Sequence, residues 1–111
     1  MALTFANVEK APRVDHAAHG MQTRQVDMTV LNADYSSGFD LQTNAQKMGF
    51  RRVYAVLQVS AKNGAGTFLP LLFWNWDFLA GKLRVANATS EANAAATLTD
   101  NSVLRMLVVG V

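Results

Sequence analysis

Residues 68–79 read FLPLLFWNWDFL and contain both tryptophans of the chain. Their even-numbered positions are all apolar, whereas their odd-numbered positions are apolar at first and then polar at Asn75 and Asp77. Because successive side chains of a strand point to opposite faces, this pattern predicts a strand buried on both faces in its first half and on one face in its second. We expect a central strand or part of an interface, with Trp74 and Trp76 on the inner face. Three further side chains are expected under a second layer: Leu69, Leu71 and Phe73.

Alternating apolar and polar residues predict further strands on both sides of this stretch. The predicted strands comprise residues 24–30, 39–42, 50–60, 68–79, 82–85 and 103–109. The last is apolar on both parities except at Arg105, which predicts a second central strand. A glycine-rich turn at residues 61–66 joins the strands before and after it, which predicts a hairpin.

Two polar segments between these strands lead to different expectations. Residues 43–49 predict a single helical turn with Thr43 and Gln46 in a capping box, Met48 in the core and Gly49 in the left-handed conformation. Residues 87–96 are small and polar and have no apolar face that would dock a helix. They are therefore predicted to form a surface loop.

Residues 1–23 have no useful periodicity and are predicted to form an extended N-terminal arm. Phe5 and Val8 are candidates for docking on a neighbouring subunit, and a frayed terminus is the alternative. The remaining residues, 24–111, are predicted to form a single β domain. With turn signals between short strands and no long helix, we expect an all-β fold, a small antiparallel β-sandwich or jelly-roll-like barrel of about 6–8 strands.

Composition limits the possible partners of the chain. Charged residues make up 16% of the 111 residues, and the net charge is +2; typical soluble domains have about 25% charged residues. Such a surface suits coverage by a partner, although an alanine-rich monomer would have it too. Arg51 and Arg52 are the only adjacent basic pair, so no nucleic-acid partner is expected. There is no cysteine, no signal-peptide pattern and no apolar run long enough to span a membrane.

Residues that carry chemistry are sparse. His16 and His19 lack a third ligand beyond Asp15, so no metal site is expected. The serines lie outside a nucleophile elbow, and the acids are scattered. We therefore predict no enzyme activity, no catalytic residue and no cofactor. Trp74 and Trp76 have three possible roles: core residues, anchors of a protein interface, or an aromatic platform for a sugar.

Three segments resemble small structural proteins of tailed phages. Residues 74–85, WNWDFLAGKLRV, resemble an aromatic-polar-aromatic strand that passes through a Gly-Lys turn into a Leu-x-Val strand. Residues 98–110, LTDNSVLRMLVVG, resemble the turn and final strand of those proteins, and residues 48–53 resemble the entry to their long strand. The two tryptophans stand where tyrosines are more usual.

The resemblance implies a virion protein, and among these a capsid decoration (cement) protein on the outer head surface. Such a protein is made in the host cytoplasm, bridges subunits of the major capsid protein and often forms a dimer or trimer. The expected interface residues are Phe5, Val8, Arg13, Tyr54, Trp74 and Trp76. The alternatives are a carbohydrate-binding or fibre-accessory module, and a tail or connector component.

Overall fold

Two antiparallel β-sheets form the fold in the computed structural model, which describes residues 3–10 and 21–111 and, for residues 7–10, the backbone alone. The seven strands of this part of the chain are β1 (Thr4–Lys10), β2 (Gln22–Val30), β3 (Phe39–Asp40), β4 (Val53–Lys62), β5 (Phe73–Asp77), β6 (Lys82–Ala86) and β7 (Ser102–Gly110). The larger sheet has the order β1-β2-β7-β4, and the smaller has the order β3-β6-β5. The predicted small all-β antiparallel fold is confirmed.

Alternating apolar side chains from both sheets form the core. Eight of the buried residues are Val26, Met28 and Val30 of β2, Leu83 and Val85 of β6, and Leu104, Met106 and Val108 of β7. Burying such a side chain contributes up to about 1.5–3 kcal/mol. The alternation predicted for β2 and β6 is confirmed. So is the central position of β7, which pairs with β2 on one side and β4 on the other.

Strand β4 departs from the predicted alternation because two irregularities interrupt its pairing with β7. The residues that face or touch the core are Val53, Val56, Val59 and Ala61. The first two steps in that series are three residues long, since each bulge inserts one extra residue and reverses the side on which the next side chain points. Leu57, which strict alternation would place on the same face as Val53, is consequently exposed.

The prediction of a central strand at residues 68–79 is wrong. Only Phe73–Asp77 is a strand, and it lies at the edge of the smaller sheet. Pro70 has no N–H to donate to a ladder and lies at a turn, so the chain before β5 leaves the sheet. Leu71 and Phe73, expected under a second layer, are 79% and 62% exposed.

The predicted hairpin does not continue into a ladder between β4 and β5, because the two strands belong to different sheets. Around the glycine-rich turn, Lys62 and Phe68 form an antiparallel bridge, and the N–H of Leu69 donates to the carbonyl of Ala61 at 2.9 Å. The pairing stops there, before β5 begins at Phe73.

The described part of the predicted arm is a strand. Residues of β1 pair with β2, with an irregularity between Ala6 and Glu9, and Leu3 is buried in the core. Thr4–Lys10 therefore belongs to the larger sheet rather than to an irregular segment. Strand β2 begins at Gln22, two residues before the predicted domain boundary.

The short helical turn is confirmed in part. Residues Ala45–Met48 form a 3-10 turn, Met48 is fully buried, and Gly49 ends the turn with a left-handed φ of 84°. The predicted capping box is wrong, because the hydroxyl of Thr43 donates to Asp40 (2.9 Å) and no side chain caps the turn.

The surface loop predicted at residues 87–96 is wrong as well, because Glu91–Thr97 forms an α-helix, α1. The hydroxyl oxygen of Ser90 accepts a hydrogen bond from the N–H of Asn93 (3.0 Å), which is an N-cap. Ala94 and Leu98 are fully buried beneath the helix.

Candidate interaction surface

The turn between β5 and β6, residues 78–81, is an apolar and well-ordered hairpin tip. One carboxylate oxygen of Asp77 accepts hydrogen bonds from the N–H groups of Leu79 (3.2 Å) and Ala80 (3.1 Å). The carbonyl of Asp77 accepts a further bond from the N–H of Gly81 (2.8 Å). Gly81 has a φ of 69°, and a Cβ at that position would lie 2.5 Å from the Cβ of Gln42. These three hydrogen bonds hold the backbone of the turn. Position 81 requires a glycine because of its positive φ and its close approach to Gln42.

This hairpin tip presents two large apolar side chains to solvent. Phe78 is 78% exposed and Leu79 is 87% exposed. Isolated apolar residues are normal on a protein surface. Here, however, residues 68–79 supply five of the seven large apolar side chains that are exposed in the described part of the chain. The apolar stretch recognised in the sequence is therefore mainly surface, and it is concentrated along one edge of the fold.

A cavity of about 410 Å³ lies beside the hairpin tip, where the first residues of β4 approach the end of β5. We call it the tip cavity; its lining includes Gln42, Arg52, Tyr54, Trp76, Phe78 and Leu79. The guanidinium of Arg52 lies over the ring of Tyr54, 5.5 Å from its centroid. Within the described residues, Arg52 has no ion-pair partner. The tip cavity thus combines aromatic surface with one cation.

A second recess, the apolar groove, lies at the other end of the same stretch. Its volume is about 430 Å³, and it is lined by residues 69–73 on one side and by residues 87–89 and Thr97 on the other. No residue of the lining is ionisable. Leu71 and Phe73 line the groove although most of their surface is exposed. The groove and its rim are therefore apolar without an interrupting charge.

A polar network behind this surface connects the hairpin tip to α1. Arg84 of β6 donates to both carboxylate oxygens of Glu91, at 2.8 and 2.5 Å. The same guanidinium lies 3.5 Å from the second carboxylate oxygen of Asp77. Charge-assisted bidentate bonds of this kind fix geometry as well as charge. The helix, the central strand of the smaller sheet and the tip are consequently held in one arrangement.

The ionisation of the network follows from its bonds. Hydrogen bonds from Arg84 and then from Tyr35 lower the pKa of Glu91 to about 2. The bond from the Ala80 N–H is the main cause of a lowered pKa at Asp77. Bonding to Glu91 raises the pKa of Arg84. Burial first, and the hydrogen bond to Glu91 second, raise the pKa of Tyr35 to about 12. The network is therefore fully charged at neutral pH, with Tyr35 protonated.

The predicted interface residues fall in separate places. Tyr54 and Trp76 are brought together in the tip cavity. Trp74 lies on the same face of β5 as Trp76. Their partners on β6 are the buried Val85 and Leu83, and both tryptophans pack partly against the core. Their predicted inner-face position is confirmed, so they do not form a shared exposed platform.

Phe5 is on β1, at the opposite edge of the larger sheet from β4, and is partly buried against the core. The side chain of Val8, and all of Arg13, His16 and His19, lie outside the described residues. Phe5 is therefore not part of the surface formed by residues 68–81.

Sequence reasoning missed Phe78 and Leu79 as surface residues. The identity of an apolar residue does not show whether it is buried in the core or exposed for binding. One available signal was their position: both directly precede Ala80-Gly81 in a tight turn, where a core strand would have ended. Glu91 was missed because its role depends on Arg84 and Tyr35, which lie on other elements.

Some kinds of site do not occur in the described ranges, residues 3–10 and 21–111. They contain no group of three acidic, histidine or cysteine residues close enough to hold a metal ion. Their single α-helix has seven residues, too few to cross a membrane.

Comparison with protein-family models, with curated proteins and with solved structures finds no match to this chain. A functional argument for it must rest on its own residues.

Proposed function

We propose that this chain is a non-enzymatic structural protein that binds a neighbouring subunit through the hairpin tip, as a capsid decoration protein bound to the major capsid protein. The observation that carries the proposal is a tip whose backbone is held by hydrogen bonds while Phe78 and Leu79 are 78% and 87% exposed. A turn whose backbone is already fixed loses little conformational freedom when it binds, so more of its apolar contact appears as affinity.

The surroundings of the tip indicate what the partner surface should contain. Binding hot spots combine buried apolar or aromatic anchors with a few polar groups of matched charge. Phe78 and Leu79 would enter an apolar recess of the capsid subunit. A carboxylate of that subunit would meet Arg52, which has no acidic partner in the described part of this chain.

The choice of a capsid as the assembly is supported by the resemblance described above. The β5–β6 hairpin with its tip corresponds to residues 74–85, the segment that resembles tailed-phage structural proteins. The low proportion of charged residues also suits a protein whose surface is largely covered by neighbouring subunits. On this proposal the chain adds apolar contacts across the joints between capsid subunits and so stabilises the shell.

Binding to shells tests the proposal. Purified wild-type chain and the double variant Phe78→Ser, Leu79→Ser are sedimented with assembled shells of the major capsid protein from the same virus. We expect the double variant to bind at least about tenfold more weakly, because two central anchors are lost. Leu57→Ser is the matched control: Leu57 is 62% exposed on β4 but does not line the tip cavity, so its loss should leave binding unchanged.

Equal binding by the tip variant and the wild type would refute a role for the tip, and no binding by either would refute the capsid assignment. Two alternatives remain as predictions. A saturable change in tryptophan fluorescence on titration with glycans is the result expected for a carbohydrate-binding module. Rings in place of capsid binding are expected for a tail or connector component.

A further inference from the structure

The apolar groove and a side chain able to fill it lie on the same surface. Leu71 is 79% exposed at the rim of the groove, and Phe73, 62% exposed, also lines it. We propose that this surface is the contact between two copies of the chain, with Leu71 of each copy inserted into the groove of the other about a two-fold axis. A two-fold contact requires one surface to carry both the projection and the recess, because each copy uses the same patch.

The charge of the surface favours a second copy as the occupant. No residue from 63 to 76 is ionisable, and the opposite wall, residues 87–89 and Thr97, is uncharged too. In a two-fold contact, charges near the axis meet their own copies and repel each other, which an uncharged patch avoids. A charged partner would instead lose the hydration of its charge against this surface without gaining a counter-ion.

The area is also of the right order. A fully exposed large apolar residue offers on the order of 200 Å². From their exposed fractions of 79% and 62%, Leu71 and Phe73 together offer about 280 Å² per copy. This is roughly a third of the 800 Å² or so that each partner buries in an interface of standard size. Pro70 and the opposite wall of the groove, which would be covered together with them, add to it.

This inference deepens the proposed function and rests on it for its biological setting. On that reading, the groove joins copies to each other while the hairpin tip joins each copy to the shell. The two contacts are separable because self-association is measured without any shell, and shell binding is measured with variants that keep the groove intact.

Sedimentation equilibrium tests the dimer. We expect the wild-type chain to be dimeric at about 100 µM, well above a micromolar Kd. Leu71→Asp should raise the Kd at least about tenfold, because it places two carboxylates in the apolar contact. Leu79→Asp is the matched control: it introduces the same charge at a residue that is as exposed but outside the groove, and the dimer should be unchanged. Circular dichroism establishes that both variants fold.

Cysteine pairing identifies the surface directly, since the chain has no cysteine of its own. A Leu71→Cys chain mixed with a Thr89→Cys chain should form a disulfide-linked heterodimer under mild oxidation, whereas Leu79→Cys with Thr89→Cys should not. A monomeric wild type overturns the proposal. So does a dimer that survives Leu71→Asp, or one that Leu79→Asp disrupts, because it uses another surface. A monomer whose groove binds a hydrophobic dye in a Leu71-dependent way would show a small apolar ligand as the occupant instead.

Discussion

The hydroxyl group of Tyr35 takes the place of a backbone pair between β3 and β6. Strand β3 pairs with β6 at two residues only, and Ser37, which continued pairing would place opposite Val85, has a left-handed φ of 53°. The N–H of Val85, opposite that break, donates to the Tyr35 hydroxyl oxygen at 3.1 Å. The hydroxyl in turn donates to Glu91 at 2.5 Å. One side chain thus completes the edge of the ladder and joins it to the charged network.

Replacing Tyr35 with phenylalanine should lower the free energy of unfolding by about 1–3 kcal/mol, because the Val85 N–H loses its acceptor in a partly buried place. Urea denaturation at neutral pH measures the change. Tyr54→Phe is the control: its ring is exposed and its hydroxyl has no bond to any described residue, so its stability should match the wild type. Equal midpoints for both variants would contradict this role for Tyr35.

The lowered pKa of Glu91 predicts how stability depends on pH. Its pKa is about 2 in the folded protein, against an ordinary value of 4.5, so its contribution is present above pH 4.5 and is lost as the pH falls towards 2. Wild type should therefore be more stable than Glu91→Gln at pH 5–7, and the two should converge near pH 2. Thermal midpoints at steps of one pH unit measure the convergence. A constant difference over that range would mean that the charge of Glu91 does not stabilise the fold.

Tyr35 acts at the other end of the pH scale. Its raised pKa, about 12 against an ordinary value of 10.0, means that its contribution is complete below pH 10 and is lost as the pH rises through 12. The network is therefore insensitive to pH over the whole physiological range.

Among the elements, α1 is too short to be stable on its own and depends on its ends. Ser90→Ala removes the N-cap bond to Asn93 and should cost about 0.5–2 kcal/mol of stability. Ser90→Asp keeps an acceptor at that place and should remain close to the wild type. Chemical denaturation of the three proteins side by side measures the difference. If Ser90→Asp were as unstable as Ser90→Ala, loss of the N-cap bond would not explain the lower stability of Ser90→Ala.

The strands that could be predicted are those whose burial depends on local alternation alone. In β2 and β6, Val26, Met28, Leu83 and Val85 show the period of a half-buried strand, and each is buried. The bulges of β4 could not be predicted, since nothing in residues 53–61 marks where the extra residue falls. Tertiary pairing with β7 decides it.

Two elements were predicted wrongly, residues 68–79 and α1, and the reasons are opposite. The hydrophobicity of a residue shows that its side chain avoids water but not what will cover it, so Leu71 and Phe73 could not be distinguished from core residues. The helix α1 was missed because Ala94 contributes too little apolar surface to reveal a buried face in the sequence. The docking of α1 depends on Arg84 and Leu98, which lie outside the helix. Of the tip cavity, Tyr54 and Trp76 were predicted and Arg52 was not.

Across the whole molecule, a single cluster of buried residues includes side chains from both sheets, such as Phe39 and Leu83 from the smaller and Met28 and Met106 from the larger. A shared core means that neither sheet retains its packing when the other unfolds. The smaller sheet, which has only three strands, is therefore not an independent unit.

Unfolding should consequently be a single transition. Trp74 and Trp76 lie in the smaller sheet and report it by fluorescence, whereas far-ultraviolet circular dichroism is dominated by the longer strands of the larger sheet. We expect the two signals to give the same urea midpoint. A fluorescence change at clearly lower urea would show that the smaller sheet separates first.

The position of β7 has a consequence for how the chain acquires this fold. Strand β7 is the last of the described strands, yet it lies between β2 and β4, and its Arg105 bonds to Asp27, 78 residues earlier. Contacts between such distant parts of a sequence form slowly, over about milliseconds to seconds in β proteins of this kind. Until residues 102–110 have left the ribosome, the larger sheet has no centre. Its folding therefore waits for residues 102–110, rather than proceeding strand by strand as the earlier strands are made.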